Sequence, residues 1–298
     1  MDEATGKQIA KNTFWLFIGQ ITGRALRAAI VIYAARILGA ASWGAFSYAI
    51  SLAALLTIFS DVGVNALITR EGSRFPELRQ KYLATAFFIK TVLLIILMGG
   101  VIIFGRYLTN LEEAIALMPV VVFIFAFDSL RDLGSGMARA LEKMQIESLI
   151  TIFTNASIFI LGFVFLYLVP TSKSLARAYA AGTGLGLAAV VFSLRPYFKG
   201  LTRNFDRNLV KPIIISAWPF GLMGLMGAVM INTDVLMLGW LAGAREVGLY
   251  SAGQRIVQLL YIVPTLIAAA FFPELSRLAS TSSEKFKNLL EQALKVLY

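Results

Sequence analysis

Runs of about twenty apolar residues recur from one end of this chain to the other, and they decide what it can fold into. A bilayer core is roughly 30 Å thick, and about 20 helical residues span it. Backbone facing lipid must satisfy its own hydrogen bonds, which leaves helices or closed barrels. Apolar and polar residues do not alternate with a period of two, so a barrel is excluded and helices remain. Composition agrees: 58% of the residues are hydrophobic, against about 45–50% in soluble domains. The expected fold is all-α, a polytopic transmembrane helical bundle.

Eight spans are predicted, at 12–38, 43–67, 82–105, 114–131, 146–169, 175–194, 212–240 and 247–272. The polar segment from Met1 to Lys11 is short, and no small-residue cleavage site follows it, so the first span reads as a retained helix rather than a signal peptide. From Ser283 onward, Phe286, Leu289, Leu290, Ala293, Leu294 and Leu297 keep helical spacing and form an amphipathic lead-in to a further helix.

The loops set the orientation. Alternate loops carry Lys7 and Lys11; Arg70, Arg74, Arg79 and Lys81; Arg131, Arg139 and Lys143; Arg195, Lys199, Arg203, Arg207 and Lys211; and Arg277, Lys285 and Lys287. The opposite loops hold only Arg106, Lys173 and Arg245. Cytoplasmic loops are the basic ones, so a multi-pass protein of the cell (inner) membrane with a cytoplasmic N-terminus is expected. This topology also accounts for the formal net charge of +10 without a nucleic-acid partner.

A shift of 204 residues superposes Gly39 on Gly243, Ala40 on Ala244, Gly44 on Gly248 and Ser47 on Ser251. It maps the first two spans onto the last two, and six spans separate the copies, so both copies run in the same direction. Parallel repeats of this kind build transporters with the substrate path between two lobes. The expected division is a six-helix lobe at 1–203 and the beginning of a second at 204–298. The competing reading is a Gly-rich hairpin shared by two unrelated helix pairs.

The chain contains no Cys and no His. Thiolate and imidazole nucleophiles, Cys/His metal sites and Ser-His-Asp triads are therefore excluded. No catalytic residue, metal or cofactor is expected.

Charges inside the spans are the informative residues. An Arg at the centre of a membrane helix costs about 2.5–3.5 kcal/mol on insertion scales. Arg24 and Arg27 lie near the middle of the first span, and with Gln20 they occupy positions i, i+4 and i+7, one stripe of a helix. Ser251, Arg255 and Gln258 repeat that spacing in the eighth span. The spacing points to a water-filled cavity with cationic walls, and guanidinium forks bind phosphate bidentately. Lys90, in the inner part of the third span, is a further candidate for the cavity wall. The alternative is that the cations pair with intramembrane acids and only hold helices together. Those acids, Asp61, Asp128 and Asp234, are also candidates for gating or for holding a coupling ion, Asp61 with Ser60 and Asn65 and Asp234 with Asn232 and Thr233; Asp128, Arg131 and Asp132 form a brace at the end of the fourth span. The Gly182-x-Gly184-x-Gly186 string has no preceding strand and reads as close helix packing, not a nucleotide loop.

Several short motifs resemble the polysaccharide-unit flippases of the multidrug/oligosaccharidyl-lipid/polysaccharide exporter superfamily. They are Ala35-Arg36-Ile37-Leu38-Gly39, Trp43-Gly44, Asp61-Val62-Gly63, the run from Asp234 to Gly239, Val247-Gly248-Leu249-Tyr250 and Phe272-Pro273. The resemblance implies a MATE-like fold of twelve or fourteen helices in two lobes around a cationic cavity. It implies transport by alternating access of an oligosaccharide linked to a polyprenyl diphosphate, from the cytoplasmic to the outer leaflet. Glycan polymerase or glycosyltransferases are the implied companions. With about eight spans, the second lobe is incomplete, and a fragment or a non-transporting remnant is the alternative. A cation-coupled multidrug exporter of the same fold would want an acidic cavity, and a membrane enzyme would want a large outer loop; neither is written in this sequence.

Overall fold

The structure, a computed structural model, describes the backbone of residues 3–260 and residue 291, with side chains from residue 11 to 254 and at Val257 and Glu291. Contacts divide the chain into compact units Met1–Ala252 and Gly253–Tyr298. The expected tail helix and Phe272-Pro273 lie outside the described residues, as do the side chains of Arg255 and Gln258.

The described residues are helical from end to end: α1 (Glu3–Asp61), α2 (Val64–Arg74), a 3-10 turn (Pro76–Leu78), α3 (Arg79–Leu108), α4 (Glu112–Ala140), α5 (Met144–Leu168), α6 (Ser172–Ser193), the short α7 (Arg195–Phe198), α8 (Arg207–Leu241) and α9 (Ala244–Leu260). Their outer faces expose Ile95, Ile96, Ile103 and Phe104 on α3, Ile160 and Phe163 on α5, and Met223, Met226 and Met230 on α8. Such a belt of large apolar side chains is what a protein solvated by lipid tails presents.

Helix α1 contains two membrane spans. Gly39 interrupts it with φ 73° and ψ 171°, a conformation that L side chains avoid. The neighbours show that the chain reverses there. Before Gly39, α1 tracks α5: Gly19 packs on Ser148, Gly23 on Thr151 and Asn155, and Ile30 on Gly162. After Gly39 it tracks α4: Ser42 donates to Glu113 at 3.1 Å and Ser60 meets Ser129 at 3.5 Å, and α2 continues along α4, Thr69 donating to the Gly136 carbonyl at 3.2 Å. Since α4 and α5 form a hairpin through residues 141–143, the two limbs of α1 are antiparallel.

One end of the bundle gathers the basic segments 70–81, 139–143 and 195–211; the other carries Gly39, residues 109–111 and 169–171, and Gly243. At that second end, Glu113 accepts from Ser172 at 2.5 Å as well as from Ser42. Trp240 of α8 donates its indole N–H to Tyr48 at 2.7 Å, fixing α8 on the second limb. The Gly182–Gly186 string seats α6 on α5 as expected, Gly182 against Ile158 and Gly186 against Thr154.

Two boundaries differ from expectation. The fourth span runs nine residues further, to Ala140, so Arg131 and Asp132 lie inside a helix instead of ending it. Gly134 and Gly136 do not terminate α4; they let it close on Val190 and on the Asn65 carbonyl. The second span stops at Asp61 and restarts at Val64, because Val62 and Gly63 both take positive φ.

Candidate functional site

A cavity of about 570 Å³ occupies the basic end, and its walls are mostly polar. Helix α1 supplies Gln20, Gly23, Arg24 and Arg27; the break and α2 supply Asp61, Gly63, Asn65 and Ala66; α4 supplies Arg131, Asp132, Ser135 and Arg139; α5 supplies Glu147, Thr151 and Asn155; and α8 supplies Phe220. Asn155 lies eleven residues into α5, roughly 16 Å along its axis. The cavity therefore reaches about the middle of a bilayer from the basic end.

The helical stripe read from sequence is what places Gln20, Arg24 and Arg27 together on this wall, and all three are exposed. Arg27 donates from Nε to Asn155 Oδ1 at 3.1 Å, and Asn155 is itself held by its amide on the Thr151 carbonyl at 2.8 Å. That contact uses Nε and leaves both Nη groups without a hydrogen-bond partner among the described residues. Arg24 has no ion pair or hydrogen bond among the described residues.

The remaining arginines of the wall are matched. Arg131 contacts Asp128 at 2.7 Å and Asp132 at 3.0 Å. Arg139 grips both oxygens of Glu147 at 2.8 Å across the α4–α5 turn. Bidentate pairs of this kind hold both charges in a fixed geometry.

Lys90 does not join the wall, and this corrects the expectation for it. Its side chain is fully buried, 2.7 Å from Asp61 and 2.8 Å from Asn65, behind the cavity surface. The rotation of α3 turns this face inward to the helix break, where an ammonium finds oxygen partners that a lipid-facing position lacks. Asp61 lines the cavity from the other side. Asp128 is withdrawn onto Arg131, and Asp234 accepts from Tyr250 and from the Val235 backbone, away from this cavity.

Sequence reading missed Asn155 and the Arg139–Glu147 pair. Glu147, Thr151 and Asn155 stand at i, i+4 and i+8, a polar stripe along a span, which was the available signal. Among the described residues, no cluster of His, Cys, Asp or Glu is arranged to hold a metal ion.

The chain is similar to proteins of known description. Residues 9–279 match the family described as polysaccharide biosynthesis protein. A Shigella flexneri protein described as an O-antigen transporter is 21% identical over 304 residues, covering 97% of this chain and 71% of the relative. Among solved structures, an outward-facing MATE multidrug resistance transporter superposes with a TM-score of 0.64 at 19% identity, covering 98% of this chain and 69% of that one. A Pyrococcus furiosus transporter of the MOP superfamily, described as having a binding pocket of reversed polarity, gives 0.63 at 18% identity over 98% and 69%. At these identities the structures establish the fold: α-helical, multi-pass and MATE-like. With the family match spanning most of its length, the chain belongs to the polysaccharide biosynthesis protein family.

Proposed function

We propose that this protein flips a lipid-diphosphate-linked oligosaccharide from the cytoplasmic to the outer leaflet by alternating access. The observation that carries the reading is the charge balance of the cavity. Among the described residues neither Arg24 nor Arg27 has a carboxylate within salt-bridge distance, Asp128 acting on Arg27 only from further off, while Arg131 and Arg139 are each matched by acids. Two guanidinium forks left open at mid-membrane depth suit a diphosphate, the charged joint of such a cargo. The cavity volume falls in the range of small-molecule sites, room for that joint and the first sugar.

The basic loops put the N-terminus and the cavity mouth on the cytoplasmic side of the inner membrane. On that orientation, a cavity open at the basic end suits the state that loads cargo. In this reading residues 1–203 and 204–298 belong to two lobes, with Arg255 and Gln258, which repeat the spacing of the Arg24 stripe, as the second lobe's contribution to the path. Glycan polymerase or glycosyltransferases act before and after it. Asp128 braces the cavity end of α4 through Arg131, and Asp234 fastens α8 to α9 through Tyr250.

Complementation of a flippase-deficient strain tests the assignment. Wild type should restore surface glycan, Arg24→Ala and Arg27→Ala should fail, and the Lys replacements should restore it in part. Normal glycan with both alanine variants would remove the arginines, and with them the proposed cargo chemistry.

A further inference from the structure

The segment Asp61–Asn65 sits where a membrane helix stops and restarts. Helix α1 ends at Asp61, Val62 and Gly63 follow with φ 43° and 81°, and α2 begins at Val64. Such a break leaves polar groups without helical partners, and it places a carboxylate at the negative end of the α1 dipole. Interrupted membrane helices with oxygen ligands are where transporters hold mobile cations.

Here the position is already filled. Lys90 of α3 brings its Nζ to 2.7 Å from Asp61 Oδ1 and 2.8 Å from Asn65 Oδ1, one contact on each side of the break. An ammonium only donates, so Asn65 must present its carbonyl oxygen. Two oxygens from the two helix ends thus converge on one positive charge. The Lys90 side chain is 0% exposed, whereas that of Asp61 keeps 22% and forms part of the cavity wall. The site therefore has a dry side, closed by the lysine, and a wet side open to the cavity.

We propose that Lys90 is a tethered cation: its ammonium occupies a monovalent-cation site formed by Asp61 and Asn65, excludes Na⁺ from it, and staples α1 to α2 across the break. Asp61 is neutralised from behind, so it does not cancel the positive charge that Arg24 and Arg27 present to the cavity. Taking away the amine while leaving both oxygens opens the site to Na⁺ arriving through the cavity. This inference does not depend on the nature of the cargo.

The test uses the purified full chain in lipid nanodiscs, with NaCl compared against choline chloride at equal ionic strength. Melting temperature and ²²Na⁺ scintillation proximity are the two readouts. Wild type should show no Na⁺-specific response. Lys90→Ala should melt lower in choline and recover a few degrees as Na⁺ saturates it. Lys90→Ala/Asp61→Asn should lose that response while remaining folded, because no uncompensated charge is left behind. If Lys90→Ala does not fold, Lys90→Gln, which keeps a donor on Asp61, is read in the same way. Saturable ²²Na⁺ binding by wild type that Asp61→Asn abolishes would overturn the proposal. So would a folded Lys90 variant that ignores Na⁺.

Discussion

Gly44 and Gly248 pack against each other's helix reciprocally. A Cβ on Gly44 would fall on the Ala244 carbonyl and the Gly248 amide, and a Cβ on Gly248 would fall on the Ala40 carbonyl. Ala40 and Ala244, like Gly44 and Gly248, are separated by 204 positions, the period of the sequence repeat. Each segment thus offers its glycine to a carbonyl of the other, the reciprocity that two-fold-related packing produces. Direct backbone approach through small residues is how membrane helices associate without a hydrophobic driving force between them. Gly44→Ala and Gly248→Ala should each destabilise the protein by about 1–3 kcal/mol through overpacking. The double variant should cost less than the sum, since one displacement opens room for both methyls. Denaturation of the four proteins in mixed micelles measures this cycle.

Gly39 separates backbone strain from crowding. A Cβ there meets nothing within 4 Å, yet φ is 73°. Gly39→Ala should therefore destabilise by about 1–2 kcal/mol through the left-handed backbone alone. Gly99, inside α3, is equally open but helical. Gly99→Ala should stabilise by about 0.5–1 kcal/mol. Opposite signs for two equally unobstructed glycines, read from melting curves in one detergent, would isolate the conformational contribution.

Much of this architecture was legible because membrane burial writes itself locally. An apolar run long enough to span announces a helix wherever its partners lie. The stripe of Gln20, Arg24 and Arg27 was legible for the same reason: one helix period puts all three on one face. Interruptions were harder to read. Arg131-Asp132-Leu133-Gly134-Ser135-Gly136 looks like a helix end, but its glycines serve contact with Val190 and Asn65 and its charges are matched within α4 itself. Lys90 was assigned to the cavity because its depth is visible in sequence while the rotation of α3 is not. Pairings such as Arg27 with Asn155 join residues 128 positions apart, and no local pattern encodes them.

Orientation is open to a direct measurement, because the chain has no cysteine to remove. Lys143 follows α4 at the basic end and Lys173 begins α6 at the other, and both are exposed. Lys173→Cys should react with a membrane-impermeant maleimide in intact spheroplasts, and Lys143→Cys only after permeabilisation. The reverse pattern would turn the cavity mouth to the outside and contradict the proposed loading state.

The Arg139–Glu147 pair closes the cavity rim next to the α4–α5 turn. Glu147 is buried at 8% side-chain exposure, but Arg139 is 41% exposed, so solvent screens part of the interaction. Glu147→Gln should lower stability by about 1–2 kcal/mol, the net worth of hydrogen bonds to a charged group. Arg139→Ala should be no milder, since it leaves a carboxylate buried without its partner. Equal stability of all three proteins would mean that the rim is held by packing alone.

Asn155 offers the sharpest test of the cavity chemistry, because one atom changes while the shape is kept. Its amide oxygen receives the Arg27 Nε–H at 3.1 Å and carries no charge, so the guanidinium stays cationic toward the cavity. Asn155→Asp places a carboxylate on the same donor. The new ion pair offsets the lost amide donation to the Thr151 carbonyl, so the fold should be kept, yet it neutralises Arg27 and brings a negative charge to the site proposed for a diphosphate. Binding of a short-chain prenyl diphosphate to the purified protein, followed by calorimetry, should weaken by about 10-fold or more, the loss of one charge-assisted interaction. Asn155→Ala removes only the positioning contact, and it should weaken binding by roughly a few-fold. If Asn155→Asp binds the diphosphate as tightly as Asn155→Ala does, then Arg27 contributes no charge to recognition, and the anionic-cargo reading loses its strongest residue.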